Sequence, residues 1–239
     1  ASDVYKRQAE YFSGCLICGA SITYRAERSI QTCSICHKEQ LTNAVCENGH
    51  FICDACHSYG TYAPVITTLR DSTEKDALLL LEKIMDLPSV HMHGPEHHAI
   101  VPCVLLTAFR NNGEHMDYDA ALSEICKRAK QVPGGTCGYW GVCGAAAGAG
   151  IFMSVMTGSS PLHKDAWPFP QKLVSIILSR LADVGGPRCC KRTSRIAIEE
   201  AVHFYSQFCS VNIPLSSITC KYCEDNRECI QEDCPYYPE

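Results

Sequence analysis

The sequence predicts a mainly α protein, with a small metal-stapled N-terminal head carried on an α-helical body. Two observations predict it. Eighteen cysteines stand among 239 residues, and most of them gather in three ordered groups. From residue 72 onward apolar residues recur at helical spacing, whereas residues 12–60 lack that period and are rich in Cys, Gly, His and Thr.

Residues 1–11 are set aside. The run Asp3-Val4-Tyr5-Lys6-Arg7-Gln8 resembles the read-through translation of a transposon end used in sequencing libraries, and is read as a scar or tail, with the natural chain extending further upstream.

Residues 12–60 form the head. A segment this short cannot bury enough surface to fold alone, so bound metal must supply the difference. Its ligands are Cys15-x2-Cys18, Cys33-x2-Cys36 and Cys46-x3-His50-x2-Cys53-x2-Cys56. Two thiolates on one tight turn can face a single soft ion, and Gly19 and Asn48-Gly49 supply tight backbone of that kind. Seven sulfurs and one imidazole make eight ligands, enough for two tetrahedral zinc ions in a zinc-ribbon or knuckle-like fold. The expected partition is sequential: Cys15, Cys18, Cys33 and Cys36 at one ion, and Cys46, His50, Cys53 and Cys56 at the other. An interleaved partition is the alternative. His37 and His57, each directly after a cysteine, read as surface histidines. Residues 58–71 read as a connector.

The body, 72–213, reads as six helices. The first is capped by Asp71 or Ser72 and runs to Met85. The second opens at Gly94-Pro95 and ends at Asn111-Asn112-Gly113. The third starts at Asp117 and stops before Pro133. The fourth follows Cys143 through a run of glycines and alanines to Met156. The fifth spans 171–184, and the sixth runs from Thr193 or Ser194 to Cys209. The tail, 214–239, carries Cys220-x2-Cys223-x5-Cys229-x4-Cys234 and packs on the body. Its Cys-Pro ending suits a 4Fe–4S cluster, and a zinc site is equally compatible.

Between these lies a second cysteine group, Cys137-x5-Cys143 with Cys189-Cys190. Both parts sit ahead of helix N-termini, where free N–H groups favour thiolates, and Arg188, Lys191 and Arg192 add positive charge. The body is accordingly read as iron–sulfur-binding, with one or two 4Fe–4S clusters on Cys137, Cys143, Cys189, Cys190, Cys220, Cys223, Cys229 and Cys234. The small residues after Cys143 either pack helices or admit a bulky cofactor. His91, His93, His97 and His98 crowd around Glu96. Of these His97, Glu96 and His93 are the candidate proton movers, with Arg188 or Arg192 holding a substrate carboxylate.

Composition narrows the function classes. Net charge is −5, and residues 1–60 carry five Lys and Arg against six Asp and Glu, so a phosphate-binding face is not expected. The longest apolar stretch, Gly144–Met156, is too short to span a bilayer. Paired Cys-x2-Cys thiols without a signal peptide suggest a reducing, cytoplasmic setting. Oligomeric state is not legible.

Two resemblances add to this. The segments Gly134-Gly135-Thr136-Cys137-Gly138, Cys143-Gly144-Ala145-Ala146-Ala147-Gly148-Ala149 and Gly186-Pro187-Arg188-Cys189-Cys190-Lys191-Arg192 resemble the catalytic domain of iron–sulfur L-serine dehydratases and cysteine desulfidases. That resemblance implies three cysteines on a 4Fe–4S cluster whose fourth iron binds substrate. This chain departs from it in its Cys-Cys pair and in Thr193, where that family tends to place Asn. More widely, Cys46-Glu47-Asn48-Gly49-His50, Cys53-Asp54-Ala55-Cys56-His57 and His91-Met92-His93-Gly94-Pro95-Glu96-His97-His98 resemble an uncharacterised domain-of-unknown-function family of anaerobic bacteria and archaea, sometimes joined to methyltransferase domains. The expected function is an iron–sulfur lyase, desulfidase or sulfur-transfer enzyme acting on a small hydroxy- or thiol-bearing substrate. The alternative is a non-catalytic protein passing electrons or metal to a redox or methyltransferase partner.

Overall fold

A computed structural model describes residues 14–58 and 60–238; the segment 1–11 lies outside them. Among the described residues the chain runs through one β-hairpin, nine helices and a short 3-10 turn at Gln231–Asp233. The fold is mainly helical, and its N-terminal cysteines are clustered.

The hairpin pairs β1 (Ile22–Thr32) with β2 (Glu39–Cys46) in antiparallel register, Ile22 opposite Cys46 and Thr32 opposite Glu39. Every residue of β1 is at least partly exposed, and β2 buries only Asn43, Val45 and Cys46. Beside the hairpin Cys33, Phe51, Cys53 and Cys56 form a small buried cluster with Ile35 and Ile52 at its edge, and Cys15 and Leu16 are buried as well. That is too little to hold a fold without ligated metal. A short helix, α1 (Asp54–His57), ends the head.

The stretch 58–71 is more than a connector. It contains α2 (Tyr62–Asp71), which buries Val65 and Leu69, one turn apart, against the body. Helix α3 (Ala77–Met85) begins later than the first acidic cap would put it. The carboxylate of Asp76, not Asp71 or Ser72, accepts from the N–H groups of Leu78 and Leu79, at 2.9 Å each. The residues ahead of it are held extended by Asn111, whose amide donates to the carbonyls of Ser72 and Glu74 at 3.0 and 2.7 Å.

Helix α4 (His97–Asn111) is the axis of the body, buried from His97 through Phe109. Around it pack α2, α3, α5 (Tyr118–Ala129), α7 (Gly144–Met156) and α9 (Cys190–Tyr205), while α8 (Pro168–Val184) covers α7 and α9. A four-residue helix, α6 (Thr136–Tyr139), carries Cys137. Two starts precede the expected ones: α8 opens on Pro168, which suits a first helical position, and α9 opens on Cys190 because the sulfur of Cys189 accepts the Arg192 N–H at 3.4 Å.

The glycines of α7 serve contact with other chain segments. A Cβ on Gly144 would lie 2.1 Å from the His98 ring, and one on Gly148 would lie 2.5 Å from the His98 carbonyl oxygen and 2.9 Å from Pro102. The space at these positions is therefore filled by α4 rather than left for a cofactor. The tail closes over α9. Arg195, fully buried, makes a two-pronged pair with Glu82 at 2.7 and 3.0 Å and lies over the rings of Tyr222 and Tyr236. No helix of the described residues is long and apolar enough to cross a membrane.

Candidate metal centres

The eight head ligands form two groups, and the partition is the interleaved one. Cys15, Cys18, Cys46 and His50 make one group, and Cys33, Cys36, Cys53 and Cys56 the other, with ligand atoms within 4.8 Å of one another in each. This corrects the sequential expectation, and hairpin geometry gives the reason. Cys15 and Cys18 precede β1 and lie at its open end, beside Cys46 and His50, which end and follow β2. Cys33 and Cys36 follow β1 in the turn, beyond the Thr32–Glu39 pair, and their sulfurs gather with those of Cys53 and Cys56 rather than with Cys15 and Cys18. The chain after β2 instead returns along the hairpin and brings Cys53 and Cys56 to the turn, where the Ser34 N–H donates to the Phe51 carbonyl at 2.8 Å.

The spacing within each group fits a tetrahedral ion. Zn–S bonds near 2.3 Å put two sulfurs about 3.8 Å apart at the tetrahedral angle. Cys18 and Cys46 stand at 3.5 Å, and Cys36 and Cys53 at 3.7 Å. His50 turns Nδ1 toward this centre, 3.3 Å from the Cys18 sulfur. Backbone N–H groups of Ile17, Asn48 and Cys53 donate to the sulfurs of Cys15, Cys46 and Cys33 at 3.3–3.4 Å, which stabilises the ionised ligand. At Cys18 the Ala20 N–H and the Asn48 amide lower the thiol to about 6. Both groups can therefore hold zinc or another soft metal.

In the body, Cys137, Cys143, Cys189 and Cys190 do not form one group. Cys189 turns into a cavity with the tail, lined by Cys220, Cys223, Cys229 and Cys234 together with Arg192 and Arg195. The space among them is narrow and partly open to solvent. Five sulfurs from two separated stretches thus line one space. Cys190 turns the other way, within electrostatic reach of Cys143, which in turn feels Cys137. The Cys190 sulfur also lies near the Gly94 N–H. Burial raises the thiols of Cys143, Cys189 and Cys190 above their ordinary range. The helix-end and arginine environment expected to make them thiolates is outweighed by desolvation, and binding a metal would have to expel their protons. Cys103 and Cys126, outside every group, sit with sulfurs 3.7 Å apart in the core, and all eighteen cysteines are free thiols.

The candidate proton movers have different settings. His97 is buried and held neutral, its pKa pressed to about 3 by burial and by the charge of Lys191, and its Nε2 bonds the His91 carbonyl at 3.0 Å. His93 faces the tail, its Nε2 3.1 Å from both Asn226 and Glu228. Arg192 spends one nitrogen on the carbonyls of Gly185 and Pro187, at 2.8 Å each. Arg188 is partly exposed, hydrogen-bonded to the Tyr24 hydroxyl and 3.9 Å from Glu228. Glu96 is wholly buried against His57 and His91.

Sequence reasoning missed His57 and His91 at this place. His57 follows a head ligand directly, and only the docking of the head on the body turns its ring inward. Asp54 fixes that docking by accepting the Gly134 N–H at 2.8 Å.

The model of a family described as a family of unknown function (DUF5714) matches residues 65–237. No curated protein and no solved structure matches the chain.

Proposed function

We infer, for a chain that belongs to the DUF5714 family of unknown function, a multi-metal protein with zinc at both head centres and an iron–sulfur cluster in the thiol-lined cavity of the body. The observation that carries this reading is the cavity, where Cys189 meets Cys220, Cys223, Cys229 and Cys234. Four thiolates are the usual complement of a 4Fe–4S cluster, and the donor set suits one with a sulfur to spare. Such a cluster, when bound, supplies one-electron chemistry. The residues of this chain shield it with the tail, and Arg192 and Arg195 offset its negative charge. A site of this kind suits a protein that passes electrons to a partner, for which a methyltransferase is the candidate.

A specific observation favours a second, catalytic reading. Cys143 lies within electrostatic reach of both Cys137 and Cys190, with partly exposed Arg188 near Cys190. Three thiolates would leave one iron of a second cluster without a protein ligand. In that reading Arg188 receives the carboxylate of a small hydroxy- or thiol-bearing substrate, for a lyase, desulfidase or sulfur-transfer reaction.

The test is metal analysis of anaerobically purified protein with electron paramagnetic resonance. A brown protein with about four irons per cluster is expected. The double variant Cys229→Ser with Cys234→Ser should lose the cavity iron and keep the head zinc. Colourless protein holding zinc alone would end the proposal. A spectrum altered by hydroxy acids or thiols, and lost with Cys190→Ser, selects the catalytic reading; one indifferent to them selects electron transfer.

A further inference from the structure

We propose that His57, His91 and Glu96 form a third kind of metal centre, which takes one divalent ion of the zinc or ferrous class through nitrogen and oxygen donors alone. It owes nothing to the cluster reading and stands or falls separately from it.

The three side chains come from two places. His57 closes α1 at the edge of the head, and His91 and Glu96 belong to the loop that leads into α4. Their ligand atoms lie within 4.8 Å of one another. The Nδ1 atoms of His57 and His91 face the two oxygens of the Glu96 carboxylate, at 3.2 and 3.4 Å, and the rings meet edge to face with centroids 4.9 Å apart.

These distances are those of an ion pair, although neither contact meets hydrogen-bond geometry. Nδ1 of His57, Nδ1 of His91 and Oε2 of Glu96 are all buried and have no hydrogen-bond partner. A buried carboxylate oxygen and two buried imidazole nitrogens left unsatisfied together are costly unless something sits among them. Glu96 has 0% of its side chain exposed, so bulk solvent does not relieve the cost.

Two imidazoles and one carboxylate are the donor set of catalytic zinc sites and of ferrous facial triads. Three protein ligands leave at least one coordination position for water or substrate. The His57 side chain is 19% exposed, which leaves an approach from the rim between head and body. The backbone is cut to fit: a Cβ on Gly94 would lie 2.0 Å from Oε2 of Glu96 and 2.5 Å from Cε1 of His57. The position of His91 is fixed from behind by its carbonyl bond to His97, in the way outer partners orient metal ligands.

The probe is zinc itself, added to the full chain, with bound zinc counted after removal of the free ion. Wild type should hold one zinc per chain more than Glu96→Gln, while both keep the head zinc and the same helical circular dichroism. His57→Asn, altered at the partly exposed member, should lose the same single equivalent, and it decides the matter should Glu96→Gln fail to fold. Equal zinc in wild type and His57→Asn would overturn the proposal and leave an ion pair in its place. So would loss of head zinc together with the third equivalent, since that would make the effect one of head folding.

Discussion

Cys18 and Cys33 illustrate what a single residue's neighbours decide. Fifteen positions separate them along the chain, yet they lie at opposite ends of one hairpin and in different ligand groups. Spacing alone identified all eight head ligands as metal-binding, because Cys-x2-Cys turns carry their own geometry. Pairing was not legible, because it depends on where the chain returns after β2. Double variants read the pairing directly. Cys15→Ser with Cys46→Ser should release one zinc per chain, and Cys15→Ser with Cys33→Ser should release two, by elemental analysis; a sequential partition predicts the reverse. His57 was illegible for a related reason. A histidine beside a ligand looks exposed until the head docks and turns its ring toward Glu96. The Cys189-Cys190 pair was read as one unit because adjacency was taken for shared direction, whereas the start of a helix separates consecutive side chains by about 100°.

At the scale of elements, α7 packs closely against α4. The glycine–alanine run was recognised in the sequence as a close-approach surface, but what approaches it was open. It is the backbone of α4, with the His98 carbonyl under Gly148. Gly148→Ala should therefore cost about 1–3 kcal/mol in denaturant unfolding, as overpacking against rigid backbone does. Gly138→Ala, with nothing within 4 Å of the added carbon, should change stability by less than about 0.5 kcal/mol. In α9, removal of one partner from the Arg195–Glu82 pair leaves a charge without its counterpart. Arg195→Ala should cost about 3–5 kcal/mol, and adding Glu82→Gln should recover part of it in a double-mutant cycle. The helix over 62–71 escaped notice because it is short and shows only Val65, Ile66 and Leu69 as an apolar stripe, with Pro64 in its first turn. The later helices, longer and strongly periodic, were legible to within a few residues at their ends.

As a whole, the molecule joins a part rich in candidate metal ligands to a part held by burial. The body has a continuous apolar core from Val65 to Tyr222, whereas the buried cluster of the head has four residues, three of them cysteines. Chelation should therefore open residues 15–56 to protease while far-ultraviolet circular dichroism keeps its helical signal. Parallel loss of both would show that the body, too, depends on metal. The first turn of α9 has a further role in this arrangement. Of its opening two sulfurs, one lines the cavity closed by the C-terminal segment and the other lies beside Gly94 and Cys143. A change of charge at either sulfur is therefore felt at the other across one peptide unit, with no lever, hinge or sliding surface required.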